Sequence, residues 1–269
     1  MAIAPETLHK EEALKDILRG YGSIVIAYSG GVDSTYLADV AAETLGDAAH
    51  LVIADSPSLP RGELGGALRL ARDRGWHIEV VQTTEFENEE YLRNDGMRCY
   101  FCKGQLFEMI ERYAREHGVA FMAHGELADD ALDTTRVGVR AARERGAVAP
   151  LAAAGLVKDE VRALSQLRHL PTWNKPSFAC LSSRFPKGTR LNTEEVRRVE
   201  EAEEVLRAMG FRQYRARHHG DLCRIEIEPG DFARIIDPAV RTVVVQRLQA
   251  LGYRHVSLDL VGYRTGSTA

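Results

Sequence analysis

The segment that most constrains this chain is Ser-Gly-Gly-Val-Asp-Ser at residues 29–34. An apolar run at residues 23–28 precedes it and predicts a buried strand, and a helical pattern follows over residues 35–45. Two glycines let backbone N–H groups approach an anion closely, and the helix dipole favours negative charge there. The segment therefore predicts a phosphate-binding loop, in which Ser29 and Ser34 add hydroxyl donors. The alternative is an ordinary tight turn, which the same residue types also form.

Asp33 makes the prediction of a phosphate-binding loop more specific. A carboxylate beside a phosphate is repelled by it unless a cation lies between them. Mg²⁺ prefers oxygen ligands and is commonly held by carboxylates together with substrate phosphates. The loop therefore favours a nucleotide that carries Mg²⁺. It lacks the GxxxxGK[ST] pattern, which excludes a Walker-A nucleotidase.

Strands and helices alternate along the first part of the chain, which predicts an α/β fold with a doubly wound parallel sheet. The other strands predicted there cover residues 51–54, 77–82 and 119–123, and the other helices cover residues 8–19, 64–75 and 104–117.

The C-terminal part has a different pattern, which predicts a second, smaller α+β domain. Its predicted strands cover residues 213–218, 222–228 and 255–260, and its helices follow Asn192 and Pro238. Between the two parts lies an irregular segment with three prolines, which predicts a functional loop. The predicted division is an adenylation domain at residues 1–170, a loop at 171–190 and the second domain at 191–269.

Composition narrows the classes of function. No apolar run approaches the roughly 20 residues that a membrane-spanning helix needs, and residues 1–10 carry no apolar signal core. We therefore expect a cytoplasmic protein with no membrane partner. The net charge is −4, from 35 basic and 39 acidic residues, which argues against general nucleic-acid binding. We also expect a homo-oligomer.

Four cysteines in such a chain indicate ligands, nucleophiles or core residues rather than disulfides. Cys99 and Cys102 form a C-x-x-C pattern in a predicted loop before a helix, and this pattern is compatible with a redox pair, half of a zinc site or part of an iron–sulfur site. Together with Cys180, three thiolates fit a [4Fe–4S] cluster with one unligated iron. Cys180 alone, near Arg184, fits a nucleophile. Three unrelated buried thiols are the remaining alternative.

Two further patterns carry weaker predictions. Period-two alternation places Cys223 on the same strand face as Ile225 and Ile227, which predicts a small core residue. The acidic turn at residues 125–130, with Asp133, follows the fourth predicted strand. Its carboxylates can hold Mg²⁺ or orient a substrate, or they can form a solvated helix start.

Four motifs together resemble the LarE-type sulfur transferases of the ATP-pyrophosphatase superfamily, also called the PP-loop or adenine nucleotide alpha hydrolase-like superfamily. They are SGGVDS at 29–34, RCYFCK at 98–103, PTWNKPSFACLSSRFPKG at 171–188 and YRARHHGDLCRIEIEPGDF at 214–232. The resemblance implies an enzyme that uses ATP and Mg²⁺ to adenylate the carboxylates of a small-molecule substrate, pyridinium-3,5-biscarboxylic acid mononucleotide. It converts them to thiocarboxylates, with release of pyrophosphate and AMP, for the nickel-pincer nucleotide of lactate racemase.

The family has two ways of supplying sulfur. One sacrifices the sulfur of a single cysteine, and the other uses three cysteines to hold a [4Fe–4S] cluster that carries an extra sulfide. Cys99, Cys102 and Cys180 are similar to the second type, which also implies a separate sulfur donor.

The resemblance also implies the remaining site residues. The nucleotide is expected at Ser29, Gly30, Gly31, Asp33 and Ser34, with adenosine at Asp55 and Ser56. The substrate and its phosphate are expected at Trp173, Ser183, Arg184, Arg215 and Arg217. The acidic active-site or metal-binding residues are expected to be Glu203, Glu226 and Asp231.

Some of these residues have simpler interpretations. Arg215 and Arg217 share one face of a predicted strand and can fork onto one phosphate, but a solvated edge strand would look the same. Glu226 can form a surface ion pair with Arg224, and Trp173 can be a buried anchor.

The chain also departs from the family pattern. Gly125-Glu126-Leu127 replaces the usual GTN turn, Arg136-Val137-Gly138 replaces Arg-Pro-Gly, and Lys187 replaces an aromatic residue. The alternative functions are another PP-loop enzyme, such as a tRNA thiolase or an amidating synthetase, and a non-catalytic iron–sulfur or zinc sensor.

Overall fold

The computed structural model describes residues 3–130, 137–176 and 179–264. The chain divides into two compact units. The first consists of Met1–Glu85 and Met97–Phe178, and the second of Phe86–Gly96 and Ala179–Ala269. The domain boundaries predicted at residues 170 and 190 stay a prediction.

A parallel sheet forms the centre of the first unit, as the alternating pattern predicts. Its strands are β1 (Ile24–Ala27), β2 (Ala49–Asp55), β3 (His77–Gln82) and β4 (Phe121–Ala123), in the order β3-β2-β1-β4. Every pair of neighbouring strands is parallel; Ile26, for example, lies opposite Leu51 of β2 and Ala123 of β4. The α/β fold class is therefore confirmed.

Helices cover both faces of this sheet. They are α1 (Pro5–Tyr21), α2 (Val32–Leu45), α3 (Arg61–Asp73), α5 (Arg98–Glu116), α6 (Val137–Glu144), α7 (Pro150–Ala153) and α8 (Lys158–Leu167). Successive residues of β1 point to opposite faces, so Ile24 and Ile26 join one hydrophobic cluster and Val25 and Ala27 join another. A strand buried on both faces needs a continuous apolar run, which residues 23–28 supply.

The strand order creates a crevice at one end of the sheet. The chain runs from β1 to β2 and β3 on one side of β1 and then returns to place β4 on the other side. Ligands of open α/β sheets bind at such a switch point, outside the carboxyl ends of the strands. The segments that follow β1 and β4 therefore flank the expected ligand site.

The second unit has a separate sheet, in which β5 (Tyr214–His219) and β6 (Leu222–Ile227) are antiparallel and β6 and β7 (His255–Leu258) are parallel. Its helices are α4 (Glu89–Leu92), α9 (Thr193–Ala208), α10 (Phe232–Ile236) and α11 (Pro238–Ala250). Cys223 is fully buried in the core of this unit with Ile225 and Ile227, which confirms the prediction from strand alternation.

No helix in the described parts of the chain has the length and apolar character that crossing a membrane requires.

A charge network ties three helices of the first unit together. Arg168 follows α8 and donates to Glu11 of α1 at 2.7 Å and to Asp39 of α2 at 2.6 Å, and it also contacts Glu43. The hydrogen bond from Arg168 is the largest effect on Glu43 and lowers the pKa of its carboxyl. The Arg168 side chain is only 15% exposed, and those of Glu11 and Asp39 are 9% exposed. Loss of Arg168 would therefore leave two buried carboxylates with less positive charge to balance them.

We expect Arg168→Met to lower the free energy of unfolding by about 3 kcal/mol, as is typical when one partner of a buried ion pair is removed. Urea unfolding measures this change. Since the folded-state pKa of Glu43 is lowered, its pairing with Arg168 stabilises the protein above the ordinary pKa of 4.5 and loses that effect as pH falls below it. The difference between wild type and variant should therefore shrink in acid.

Arg19→Met is the matched control, because Arg19 and Asp16 are an exposed pair on α1. Its effect should stay within about 0.5 kcal/mol. Equal losses in the two variants would contradict the role of Arg168.

Candidate functional site

The 29–34 segment forms the turn between β1 and α2. Helix α2 begins at Val32, three residues earlier than the sequence predicts, so Asp33 and Ser34 lie in its first turn. The Ser34 hydroxyl accepts from the Ser29 N–H at 3.2 Å and lies 3.0 Å from the Ser29 hydroxyl. The N-terminus of a 14-residue helix, where the helix dipole favours negative charge, therefore lies at the switch point.

Two close approaches hold this turn in place. Gly30 has a positive φ of 66°, and a Cβ there would lie 2.7 Å from the Cβ of Ala67 on α3. A Cβ on Gly125, in the turn after β4, would lie 2.9 Å from the backbone nitrogen of Ser34 and 3.1 Å from the carbonyl carbon of Asp33. Only glycine fits either position without a shift of neighbouring atoms, so the two turns at the switch point are in direct contact.

Two lysines that the sequence analysis missed contact the same turn. The Nζ atom of Lys158, the first residue of α8, lies 2.7 and 2.6 Å from the two carboxylate oxygens of Asp33. The Nζ of Lys175 donates to the Gly30 carbonyl at 2.8 Å and pairs with Glu63 at 2.6 Å. Lys175 belongs to the quoted motif at 171–188, but no local pattern indicates that either lysine reaches the turn, because each lies more than 120 residues away in sequence.

Burial is the largest effect on Asp33 and raises the pKa of its carboxyl. The hydrogen bond and charge of Lys158 act in the opposite direction, and the negative charge of Asp130 adds to the rise. The carboxylate therefore lies where its negative charge depends on a nearby cation.

Asp55 and Ser56 lie at the carboxyl end of β2, next to the turn. The Asp55 carboxylate accepts from Arg61 and from Gln82 at 2.8 Å. Burial raises the pKa of Asp55, but these two hydrogen bonds and the charge of Arg61 outweigh it and lower the pKa. The Ser56 hydroxyl donates to Glu85, which is 1% exposed and which the sequence analysis missed.

The acidic turn after β4 is only partly solvated. Glu126 is 3% exposed and accepts a hydrogen bond from Arg143 of α6, with His124 3.4 Å away. Asp129 is exposed and Asp130 is half-buried. The interpretation of the whole turn as a solvated helix start is therefore wrong for Glu126. Asp133 and Arg136 lie outside the described residues.

Cys99 lies in the first turn of α5, which begins at Arg98, and Cys102 lies at the start of the second turn. The expectation of a loop before the helix is therefore wrong, and the pair shares one helix face through its three-residue spacing. Cys99 is exposed and Cys102 is half-buried. Gly138 of α6 packs against this turn, since a Cβ there would lie 3.4 Å from the Cys99 carbonyl oxygen.

Cys180 lies in the second unit and directly precedes a 3-10 turn, Leu181–Arg184. Among the described residues, no group of three or more His, Cys, Asp or Glu side chains is arranged to hold a metal ion. Trp173, in the first unit, is 36% exposed. Its interpretation as a buried anchor is therefore wrong.

The second unit brings five of the predicted residues into one hydrogen-bonded network. Arg184, with a fully buried side chain, donates to both carboxylate oxygens of Glu203 at 2.8 and 3.0 Å. Arg217 donates to both oxygens of Glu226 at 3.0 and 2.8 Å. Ser183 joins the two pairs, because its hydroxyl accepts from Arg184 and its carbonyl accepts from Arg217.

This burial overturns two of the simpler interpretations. Arg217 is 6% exposed and Glu226 is 2% exposed, so neither belongs to a solvated edge or to a surface ion pair. Arg224 does contact Glu226, at 3.2 Å, but as an additional partner of a buried carboxylate.

Arg184 also holds the backbone around Cys180. Its Nη1 atom donates to the carbonyl oxygens of Ala179 at 2.6 Å and of Cys180 at 3.1 Å. These contacts give Arg184 a role in shaping the Cys180 backbone, and its expected role as a ligand of the substrate or its phosphate stays a prediction.

Arg215 has different surroundings from Arg217. It is half-buried, donates to the Tyr214 carbonyl at 2.7 Å and lies over the Tyr263 ring. Burial and then the positive charge of Arg184 lower the pKa of the Arg215 guanidinium. Asp231 lies at the end of a 3-10 turn, with Arg234 3.8 Å away.

Sequence comparison with known proteins shows which family this chain resembles. No protein-family profile matches the chain. It is 41% identical over 259 residues to the uncharacterized protein slr1717 of Synechocystis sp., covering 95% of this chain and 96% of that protein. It is 36% identical over 259 residues to the pyridinium-3,5-bisthiocarboxylic acid mononucleotide synthase of Lactiplantibacillus plantarum, covering 94% and 90%.

A more distant similarity extends to a second kind of enzyme. The chain is 29% identical over 226 residues to a subunit of the glutamine-hydrolyzing GMP synthase of Pyrococcus abyssi, covering 77% of this chain and 72% of that protein. Similarity to the bisthiocarboxylic acid mononucleotide synthase over nearly the full length of both proteins, together with the glycine turn at the switch point, shows that the chain belongs to the LarE family of the PP-loop superfamily.

Proposed function

We propose that this protein is an ATP-dependent sulfurtransferase that converts the carboxylates of pyridinium-3,5-biscarboxylic acid mononucleotide to thiocarboxylates, in the synthesis of the nickel-pincer nucleotide. The observation that carries the proposal is the glycine turn at the switch point, clamped by Gly125 and flanked by Lys158 and Lys175. The near full-length similarity to the Lactiplantibacillus plantarum synthase supports the identity of the substrate.

In the first step a substrate carboxylate attacks the α-phosphorus of ATP, the bond to the β-phosphate oxygen breaks, and pyrophosphate leaves. The protein needs no side-chain nucleophile here, because orientation and charge neutralisation lower the barrier. The N–H groups at the start of α2 and the two lysines supply positive potential for the β- and γ-phosphates. The carboxylate oxygens of Asp33 and Asp130 suit Mg²⁺, which would neutralise phosphate charge when bound.

In the second step a sulfide attacks the acyl adenylate, and AMP leaves as the thiocarboxylate forms. We propose that Cys99, Cys102 and Cys180 hold a [4Fe–4S] cluster, whose unligated iron would supply a binding position for that sulfide. The donor chemistry fits, since thiolates are the usual ligands of such clusters.

The arginines of the second unit support binding of the substrate phosphate. Arg184 and Arg217 each face a buried carboxylate, whereas Arg215 donates to a carbonyl and a tyrosine hydroxyl. Burial first, and then the positive charge of Arg184, disfavour the charged form of Arg215 and lower its pKa. A phosphate at Arg215 would relieve that repulsion, so we assign it the direct contact and assign Arg217 the positioning of Ser183.

The proposed reaction predicts stoichiometric products. Purified protein, anaerobically loaded with iron and sulfide, should release one AMP and one pyrophosphate for each carboxylate converted when it is given ATP and the mononucleotide. Mass spectrometry of the small molecules measures the replacement of oxygen by sulfur. Turnover with tRNA in place of the mononucleotide would contradict the substrate, and ATP binding without turnover of any substrate would favour a sensor.

The close approach of Gly125 to the Ser34 backbone predicts that Gly125→Ala displaces the nucleotide turn. Affinity for a non-hydrolysable ATP analogue should fall about 10-fold or more, because one lost hydrogen bond to a charged group costs about 1.5–3 kcal/mol. Calorimetric titration measures the affinity.

Gly20→Ala is the control, since nothing lies within 4 Å of the added Cβ and the residue is in α1. It should leave nucleotide affinity unchanged. If Gly125→Ala bound the analogue as tightly as Gly20→Ala does, the close approach of Gly125 to the Ser34 backbone would have no role in nucleotide binding.

The cysteine assignment predicts a pattern in anaerobically reconstituted protein. Serine at Cys99, Cys102 or Cys180 should abolish the iron–sulfur charge-transfer absorption, because each removes one of three thiolate ligands. Cys223→Ala should retain it, since Cys223 is fully buried and burial raises the pKa of its thiol to about 12. Full iron content in Cys99→Ser would disprove the three-ligand arrangement.

A further inference from the structure

Lys158 is paired with the carboxylate of Asp33, which is the group that the metal would use as a ligand. Its Nζ atom lies within hydrogen-bond distance of both oxygens of Asp33, at 2.7 and 2.6 Å. An ammonium group shared between both oxygens of one carboxylate takes the same coordination position as a divalent cation bound by that carboxylate. Lys158 is the first residue of α8 and Asp33 is the second residue of α2, so their pairing depends on how these two helices pack.

The position between the two carboxylate oxygens of Asp33 holds one cation, and the ammonium group of Lys158 occupies it. A Mg²⁺ ion lies about 2.0–2.1 Å from its oxygen ligands. With the ammonium group at 2.6–2.7 Å from the same oxygens, the two positive charges would repel each other at very short range. The metal and Lys158 therefore compete for Asp33.

Lys158 has an alternative partner when a nucleotide arrives. The turn at residues 29–34 presents the N-terminus of α2 to an anion, and the Lys158 side chain is 40% exposed on a flexible four-carbon stem. A phosphate bound at the turn offers a stronger negative charge than one shared carboxylate does. Movement of the ammonium group to that phosphate frees both oxygens of Asp33.

We propose that Lys158 is an exchangeable counter-ion that couples metal binding to nucleotide binding. Without nucleotide it neutralises Asp33 and keeps divalent metal out. With nucleotide it pairs with phosphate and leaves Asp33 to the metal, so that each ligand strengthens the binding of the other. This inference rests on the proposed use of ATP at the 29–34 turn and adds an energetic linkage between the two ligands.

The test measures binding rather than activity. Mn²⁺ replaces Mg²⁺, and the loss of the free Mn²⁺ electron paramagnetic resonance signal gives its affinity with and without a non-hydrolysable ATP analogue. A titration of the analogue without protein measures the Mn²⁺ that its phosphates bind in solution, and this contribution is subtracted. In the wild type the analogue should tighten Mn²⁺ binding, by about 5- to 150-fold if the coupling is of ordinary size. In Lys158→Met, Mn²⁺ alone should bind more tightly than to the wild type, while the analogue alone binds more weakly.

The two affinities of Lys158→Met thus move in opposite directions, which general destabilisation of the fold would not produce. The coupling between Mn²⁺ and analogue should be smaller than in the wild type, and the part that remains should be what the phosphates of the analogue contribute by binding Mn²⁺ themselves. Lys158→Arg retains the charge and should retain most of the coupling. Asp33→Asn should lose the tight Mn²⁺ binding of the ternary complex, because the metal loses its carboxylate.

Lys10→Met is a matched control that involves the same helix. Lys10 pairs with both carboxylate oxygens of Glu160 in α8, at 2.8 and 2.9 Å, so its removal also breaks a lysine–carboxylate pair of this helix. Both affinities and their coupling should match those of the wild type.

Two outcomes separate the inference from the proposed function. If the wild type binds the analogue with Mn²⁺ and Lys158→Met shows the same coupling, the counter-ion role is wrong and the proposed function stands. If the wild type binds no analogue at any Mn²⁺ concentration, the proposed use of ATP fails, and the linkage fails with it.

Discussion

Buried negative charge must be balanced by positive charge, because an unpaired carboxylate removed from water carries a penalty of several kcal/mol. In both units, the candidate site residues with buried carboxylates are paired with a lysine or an arginine. In the first unit Asp33 depends on Lys158 for its charge. In the second, Glu203 and Glu226 are held by Arg184 and Arg217, and the Cys180 backbone is held by the same guanidinium that holds Glu203.

The topology of the parallel sheet determines where that charge lies in the first unit. Because β4 returns to the opposite side of β1 from β2, two turns meet at one end of the sheet. Contact between them is close enough that Gly125 has no space for a Cβ against the Ser34 backbone. The nucleotide turn is thus defined by its neighbours as well as by its own glycines. The departure from the family pattern at Glu126 occurs in this contact region, where the new carboxylate is buried and paired with Arg143.

Sequence reasoning was reliable where a signal is local. The period of the apolar residues predicts a strand, then a glycine turn, then a helix, and the structure has these elements at β1 and α2. It was unreliable at element boundaries. The C-x-x-C pair lies inside α5, at the end of the helix against which Gly138 of α6 packs, and this contact between distant residues leaves no local signal in the sequence. The solvated alternatives for Arg217 and Glu226 are wrong, because each charge is paired and the pairing allows burial.

The sequence by itself therefore determined the α/β class, the glycine turn, the core position of Cys223 and the family, since each depends on the order and spacing of neighbouring residues or on whole motifs. Only the tertiary structure decided that Lys158 and Lys175 reach the nucleotide turn, that Glu85 supports Ser56, and that Arg184 holds the backbone of Cys180. The partners of a charge are chosen in three dimensions, because a buried group pairs with whichever opposite charge the packing of helices and strands brings within a few ångströms.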